Sequence, residues 1–267
     1  ISGVIVTYHL NSDESYATQV LKSGDKITLP DPAKGGCIFD GWYKDGAKWD
    51  RAASVTESLT LTGCLYAPAT DESAFTAALD DTSVGVIRLT NDITLSSGNT
   101  EIKVTNGRRV TIDLNGYVLD LGKKHIFSSF SYGDGVFLNE LTVMDSRPDE
   151  PHKFTPAADG LWVRDETNGD RLVKGGVIYG GSGGSEGTVT VGRLSTFIMN
   201  GGNIVGCYAE SGGAVNIAYG GTFEMNGGNI VGCRADSCGG GVYASGAFMM
   251  TGGSVADCTA SEGSGVY

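Results

Sequence analysis

Hydrophobic positions in the C-terminal part of the chain follow a short alternating pattern that recurs at a fixed distance. Residues 199–207 read MNGGNIVGC, and residues 225–233 repeat the same nine letters 26 positions later. Within one period, Val215, Ile217 and Phe223 alternate with polar or variable positions, which is typical of strands with one buried face. Looser copies on both sides extend the period, so the region is an array of repeats.

Glycine is concentrated in the same region, where 26 of the 42 glycines lie after residue 174. Each interior glycine costs a helix roughly 1 kcal/mol relative to alanine, so this density argues against helices. Glycine also permits the positive φ angles of tight corners. The pattern therefore predicts three short strands per period, joined at Gly-Gly corners, as in one rung of a solenoid.

Stacked rungs place each strand about 4.8 Å from its copy. Identical residues then pack on one another, which predicts ladders along the stack, with the phenylalanine and methionine ladders buried. The ladder residues are Val189, Val215, Val242, Phe197, Phe223, Phe248, Met199, Met225, Met250, Cys207, Cys233 and Cys258.

The cysteines at one repeat position leave three interpretations open. A separation of about 4.8 Å lies inside the disulfide window, but parallel side-chain vectors fit the S–S torsion badly. We therefore favour a ladder of free thiols over disulfides. A three-thiolate metal site is less favoured, because metal-binding cysteines normally come with C-x-x-C or histidine spacing. We expect no metal, and the sequence assigns no role to Cys37, Cys64 and Cys238.

The repeat pattern F-x-M-x-G-G-x-I followed by G-G-x-V-Y resembles right-handed parallel β-helix proteins of the pectin-lyase-like superfamily. It is most similar to the rungs of adhesin-like surface proteins of gut bacteria. The stretch VTIDLNGYVL at residues 110–119 resembles the first rungs of the same family. The resemblance implies a mainly all-β fold, a right-handed parallel β-helix solenoid with about 26 residues per rung over residues 82–267. Because the superfamily includes lyases, hydrolases, esterases and inert stalks, activity stays open.

The N-terminal part has a different pattern. The motif GCIFDGWY at residues 36–43, preceded by Gly24 and by PDP at residues 30–32, resembles the Listeria-Bacteroides repeat, also called the internalin B-repeat. This resemblance implies a small β-grasp-like module over residues 1–67. Trp42 and Tyr43 are interpreted as core aromatics rather than as a platform for sugar stacking.

The sequence of residues 68–81 predicts a linker and a short amphipathic helix between the two regions. Thr70 or Asp71 is the expected N-cap, and Phe75, Ala78 and Leu79 fall on one face. We expect this helix to cap the N-terminal end of the solenoid, where a terminal rung would otherwise expose its core and strand edges.

Residues 122–172 interrupt the repeats and form a loop-rich insertion that holds the candidate chemistry. The insertion begins with Lys123, Lys124 and His125 and with a loop at 128–135, and a charged stretch follows at 145–171. Acids beside an arginine would suit proton abstraction from a uronic acid, or general acid and base roles in hydrolysis. The catalytic candidates are Asp165, Arg164, Asp145 and Glu166, and the ligand-binding candidates are Trp162, Arg164 and His152.

The favoured interpretation of the insertion is nevertheless a solvated loop with Trp162 packed against the solenoid. The repeat strands show no outward ladder of acids, since Glu224 corresponds to Ile198 and Met249 in the neighbouring copies. We therefore expect no active cleft over residues 175–267, and the chain contains no other recognised catalytic motif.

The net charge of −12 argues against nucleic acid as a partner, and no apolar run is long enough to insert into a membrane. We favour a non-catalytic adhesin-like segment, a rigid stalk whose ligand is a host or dietary glycan or glycoprotein. The alternative is a polysaccharide lyase or glycoside hydrolase with its site at 145–171. No cofactor is expected, and calcium enters only under that alternative.

The resemblances imply an extracellular location, on a bacterial cell surface or secreted. The chain starts inside a strand-like segment and stops at Gly265-Val266-Tyr267, the beginning of a further rung. We therefore expect it to be a segment of a longer protein with further domains.

Overall fold

The computed structural model describes residues 3–11, 14–96, 102–122, 126–128, 138–182, 184 and 187–267, with backbone alone for Glu14 and for 126–128. The candidates Lys123, Lys124 and His125, and the loop at 129–135, lie outside the described residues. The chain divides into two compact units. One contains Ile1–Pro68 and Ser83–Val86, and the other contains Ala69–Thr82 and Ile87–Tyr267.

The first unit is a small mixed sheet. Its strands are β1 (Gly3–Leu10), β2 (Glu14–Lys22), β3 (Ile38–Lys44), β4 (Ala47–Lys48) and β5 (Leu59–Ala69). Strand β1 pairs antiparallel with β2 and parallel with β5, while β3 pairs antiparallel with β5. The last strand, β5, therefore pairs with both β1 and β3.

Aromatic side chains form the centre of this unit. Trp42 is 2% exposed, and its ring lies 4.9 Å from that of Tyr8 and 5.2 Å from that of Phe39, both edge-on. The Trp42 Nε1–H donates to the Pro30 carbonyl at 2.7 Å, so the polar atom of the indole is satisfied. Trp42 therefore belongs to the core, whereas Tyr43 is half-buried.

Helix α1 (Glu72–Asp80) opens the second unit. The Asp71 carboxylate accepts a hydrogen bond from the Ala74 N–H at 2.9 Å, which makes Asp71 the N-cap. Phe75, Ala78 and Leu79 are buried, as the amphipathic pattern predicts.

The strands after α1 follow in chain order, and β6 begins at the boundary residue Val86. They are β6 (Val86–Leu89), β7 (Ile93–Thr94), β8 (Ile102–Val104), β9 (Arg109–Asp113), β10 (Val118–Asp120), β11 (Ile126–Ser128), β12 (Asn139–Met144), β13 (Pro151–Pro156), β14 (Trp162–Arg164), β15 (Arg171–Lys174), β16 (Val177–Tyr179), β17 (Val189–Val191), β18 (Ser195–Met199), β19 (Asn203–Val205), β20 (Tyr208–Ser211), β21 (Val215–Ile217), β22 (Thr222–Met225), β23 (Asn229–Val231), β24 (Arg234–Cys238), β25 (Val242–Ala244), β26 (Ala247–Met250) and β27 (Ser254–Ala256).

Most of these strands form parallel sheets in which successive strands of the chain belong to different sheets. Within this unit the orders are β6-β9-β12-β18-β22-β26, β7-β10-β16-β19-β23-β27 and β8-β11-β17-β21-β25. Each repeat strand pairs with its own copy, so Val189 lies opposite Val215 and Phe197 lies opposite Phe223. These parallel sheets fit a β-helix.

The repeats contain one strand more than the three predicted per period. A short parallel pair, β20 and β24, follows the repeated cysteine and forms a sheet of its own. Its residues are mostly polar and do not alternate with hydrophobic ones, so the period-2 pattern does not reveal it.

The predicted ladders form, but the phenylalanine and methionine side chains on β26 are less buried than their copies. The rings of Phe197 and Phe223 stack at 4.8 Å, and those of Phe223 and Phe248 stack at 5.1 Å. Met199 and Met225 are fully buried, but Phe248 is half-buried and Met250 is 44% exposed. The expectation of burial is wrong for these two residues, because β26 is the outermost strand of its sheet and no further strand covers it.

All six cysteines are free in the structure. Cys207 and Cys233 are fully buried and Cys258 is 8% exposed, so the three ladder thiols lie inside the stack. Burial raises the pKa of the Cys233 thiol well above its ordinary value, which keeps this group protonated.

The insertion is a folded sheet rather than a solvated loop. Strands β13, β14 and β15 form an antiparallel sheet in the order β14-β13-β15, which follows β12 in the chain. The inner face of this sheet and three solenoid residues share one core, which comprises Phe154, Trp162, Val173, Val118, Val177 and Val205. The expectation of a solvated loop is therefore wrong. Trp162 itself is packed, as that expectation also stated.

Candidate functional site

The insertion contains a network of charged side chains centred on Arg164, at the end of β14. Its Nη2 lies 2.5 Å from Asp92 Oδ2, and its Nε lies 2.8 Å from Glu166 Oε1. Asp92 belongs to the region of parallel sheets, where its other oxygen accepts the Val118 N–H at 2.9 Å. Arg164 therefore fastens the insertion to the parallel sheets next to β10.

Glu166 lies at the centre of these contacts. Partial burial acts to raise the pKa of its carboxyl. Hydrogen bonds from Arg164, from the Lys153 N–H and from His152 act in the opposite direction and together outweigh burial, so the pKa is lowered overall. The Lys153 N–H is 3.1 Å from Glu166 Oε2, and His152 Nδ1 is 3.3 Å from Oε1. Glu166 is therefore held in its ionised form as a structural partner.

The two aspartates predicted as catalytic groups accept hydrogen bonds from the backbone. Asp145 accepts the N–H groups of Gly116 and Gly176, each at 2.7 Å, and so joins two turns of the chain that precede β10 and β16. Asp165 accepts the N–H groups of Thr167 and Asn168 at 3.1 and 2.8 Å, which stabilises the turn after β14. Both carboxylates thus stabilise local backbone structure.

The predicted ligand-binding residues of the insertion face inward. Trp162 is 7% exposed and lies directly over Gly232, where an added Cβ would stand 2.0 Å from the indole Cγ. His152 is 8% exposed, and its Nε2 lies 2.9 Å from the Gly116 carbonyl oxygen. The structure brings His152, Arg164 and Glu166 together, and it places Trp162, Asp145 and Asp165 elsewhere.

In the described part of the chain, no group of three or more His, Cys, Asp or Glu side chains is arranged to hold a metal ion.

A surface cleft lies elsewhere in the second unit, along β20 and β24. Its volume is about 580 Å³, and its lining includes Tyr208, Glu210, Asp236, Ser237, Ser261 and Glu262. An adjoining cleft of about 340 Å³ shares Tyr208 and adds Asp159, Leu161 and Arg234. We name these two connected clefts the Tyr208 groove.

One wall of the Tyr208 groove is a fixed set of polar contacts. Arg234 lies 5.3 Å from the Tyr208 ring centre, and its guanidinium bonds Asp159 Oδ2 at 3.0 Å and Asp236 Oδ1 at 2.8 Å. The Tyr208 hydroxyl donates to Asp236, and this hydrogen bond is the main reason why the pKa of Tyr208 is raised. These contacts hold the aromatic ring in one orientation.

The other acidic side chains of the Tyr208 groove are less engaged. Glu210 and Glu262 are exposed, and neither forms an ion pair with a described lysine, arginine or histidine. Glu262 accepts a hydrogen bond from the Tyr267 hydroxyl, which raises the pKa of Tyr267. The groove therefore offers carboxylate oxygens, serine hydroxyls and an oriented aromatic ring to a ligand.

The sequence reasoning missed this row of acids. Glu210 and Asp236 each follow the repeated cysteine by three positions, and Glu262 follows Cys258 by four. The expectation of no outward ladder of acids rests on the strip of the repeat that contains Glu224. The groove acids belong to a different, polar strip, and they are not opposite one another, since Glu262 lies opposite Cys238.

Within the described residues, no helix is both long and apolar enough to cross a membrane. Residues 5–63 match the family model of the Listeria-Bacteroides repeat domain, which confirms the resemblance of the N-terminal part. Residues 66–155 match the model of the pectate lyase-like adhesive domain. No curated protein and no solved structure is significantly similar to the chain.

The chain is thus similar to a Listeria-Bacteroides repeat domain over residues 5–63 and, after it, to a pectate lyase-like adhesive domain over residues 66–155. This combination indicates an adhesin-like surface protein, and hence an extracellular or surface location. Neither match extends to residues 156–267, so the two families assign no role to the Tyr208 groove.

Proposed function

We propose that the chain is a non-catalytic, adhesin-like segment that binds a glycan in the Tyr208 groove. The two family matches support the adhesive class. The observation that carries glycan binding is the groove itself, where the oriented Tyr208 ring stands beside exposed carboxylates and serine hydroxyls. Sugars present apolar faces that pack on aromatic rings and hydroxyl groups that donate to carboxylates.

The proposal includes a rigid scaffold, a right-handed parallel β-helix with about 26 residues per rung and α1 as its N-terminal cap. The 26-residue offsets between paired strands support the rung length. Arg108 supports the cap, because its Nη2 donates to the Ala78 and Asp81 carbonyls at 3.2 and 3.0 Å, at the end of α1. Stacked rungs of this kind suit a stalk, since each contacts only its neighbours along one axis.

A non-catalytic role agrees with how the predicted catalytic residues are used. Arg164, Glu166, Asp145 and Asp165 all form short contacts within the protein. A general base must instead lie within hydrogen-bond reach of the substrate proton that it abstracts.

The test is incubation of the purified chain with immobilised polysaccharides and mucin, with and without calcium. We expect retention of protein on at least one glycan and no release of oligosaccharides into the supernatant. Tyr208→Ala should weaken retention about tenfold, equivalent to about 1.4 kcal/mol. Tyr219→Ala is the matched control, because Tyr219 is 84% exposed and does not line the groove.

The outcomes separate the two halves of the proposal. Release of oligosaccharides that is abolished by Asp165→Ala or Glu166→Gln, with the fold intact, would establish an enzyme and defeat the non-catalytic half. Retention that is equally weakened by Tyr208→Ala and Tyr219→Ala would remove the binding site from the Tyr208 groove.

A further inference from the structure

The charge of the Tyr208 groove is strongly one-sided. Its described lining holds four carboxylates, those of Asp159, Glu210, Asp236 and Glu262, and one guanidinium, that of Arg234. The guanidinium is already engaged, because it bonds Asp159 and Asp236 and lies over the Tyr208 ring. A ligand therefore meets carboxylate oxygens without an available cation to offset them.

The acids also come from successive rungs. Tyr208 on β20 pairs with Arg234 on β24, and Cys238 on β24 pairs with Glu262 on the segment that follows. Glu210, Asp236 and Glu262 thus belong to three consecutive turns of the chain, whose strands stack about 4.8 Å apart. This spacing is comparable to the length of one sugar ring in a linear polysaccharide.

We propose that the Tyr208 groove selects a linear glycan that is neutral or bears free amines, laid across successive rungs, and that it rejects uronate and other anionic glycans. Glu210 and Glu262 are the residues that determine this specificity. The inference rests on the proposed function and names the ligand class of the same groove.

The chemistry follows from the carboxylates. Ionised carboxylates accept strong hydrogen bonds from sugar hydroxyls, and they attract protonated amines. A uronate would place its own carboxylate beside these groups, and like charges across a binding surface suppress the wrong partner. The arrangement would therefore disfavour the acidic polysaccharides that a purely arginine-lined or lysine-lined groove would capture.

The test is titration calorimetry of the purified chain with three oligosaccharides of equal length, made of glucose, glucosamine and galacturonate. We expect the glucose or glucosamine oligomer to bind at least about tenfold more tightly than the galacturonate oligomer at 0.15 M salt. The advantage of glucosamine over glucose should shrink at 1 M salt, because exposed charges are then screened.

Glu210→Gln tests the specificity residue directly, since an exposed side chain can lose its charge without loss of the fold. This variant should reduce the discrimination against galacturonate severalfold. Glu224→Gln removes the same charge from β22, which belongs to a different sheet and lies outside the groove, and should leave the discrimination unchanged.

Each outcome decides between the two proposals. Galacturonate bound as tightly as glucose, with Tyr208→Ala abolishing both, would overturn the specificity and leave glycan binding in the groove intact. Equal effects of Glu210→Gln and Glu224→Gln would show that net charge, and not the groove, causes the selection. If no glycan in this set or in the wider panel is retained, the proposed function fails and the inference fails with it.

Discussion

The insertion and the Tyr208 groove are both rich in charge, and they use it in opposite ways. In the insertion, Arg164 is bonded to Asp92 and Glu166, and Glu166 accepts a further hydrogen bond from the Lys153 N–H. In the groove, Glu210 and Glu262 extend from the surface without an ion pair among the described residues. The comparison shows that a dense run of charged residues in a sequence can mark contacts within the protein as readily as it marks a binding site.

The difference has a physical cause in the backbone. The repeated strands pair with their own copies, so their backbone groups are satisfied and the outward side chains are released for other contacts. The insertion, in contrast, must be fastened to the parallel sheets at corners that end regular pairing. At these corners Asp145 accepts two backbone N–H groups and Arg164 bonds the Asp92 carboxylate. The side chains of Asp145 and Arg164 are therefore already engaged in contacts within the protein.

The largest effect expected from this comparison is the loss of Trp162. Because its ring fills the space over Gly232 in the shared core, Trp162→Ala should lower the free energy of unfolding by about 3–5 kcal/mol. Denaturant unfolding measures this change. Val163→Ala is the control, since the neighbouring side chain is 44% exposed and should change stability by no more than about 0.5 kcal/mol.

One result would contradict the contrast between the insertion and the Tyr208 groove. If Trp162→Ala left stability unchanged and abolished glycan retention, Trp162 would be a ligand platform and the insertion would belong to the binding site.

A smaller effect is expected for Arg164. Arg164→Ala leaves Asp92 and Glu166 without their cation in a partly buried position, which should cost about 1–3 kcal/mol of stability. Arg171→Ala is the matched control, because Arg171 is exposed and, among the described residues, forms an ion pair with its neighbour Asp170 alone. Exposed pairs of that kind contribute at most about 1 kcal/mol.

Thermal unfolding and glycan retention should be measured together on these two variants. Retention should survive Arg164→Ala in the folded protein. Retention lost at temperatures where the variant is still folded would assign Arg164 to ligand binding, as one interpretation of the sequence has it.

The sequence predicts the pairing of the repeated strands well and the charged contacts poorly, for a physical reason that particular residues illustrate. Phe197 and Phe223 stack because identical side chains one period apart meet when strands pair in register, so spacing alone fixes the contact. The partners of Arg164 follow no period, since Asp92 lies 72 positions earlier in the chain. The groove acids do follow the period, but on a polar strand that hydrophobic alternation cannot reveal.

The smallest effect expected concerns pH and Glu166. The folded-state pKa of Glu166 is lowered, so its contribution to stability is present above the unfolded value of about 4.3 and is lost as pH falls through the folded value. The stability advantage of the wild type over Glu166→Gln should therefore shrink below about pH 4. Since the side chain is 42% exposed, solvent screening limits the advantage to about 1 kcal/mol or less.

A double-mutant cycle makes this small effect decisive. Arg164 contributes both a hydrogen bond and a charge to the lowered pKa of Glu166, so the pH-dependent difference should largely vanish when Glu166→Gln is made in the Arg164→Ala background. A difference that persists undiminished would mean that the Lys153 N–H and His152 hold the carboxylate without the arginine. Arg164 would then be free for a ligand, and the contrast between an occupied insertion and an available groove would no longer hold.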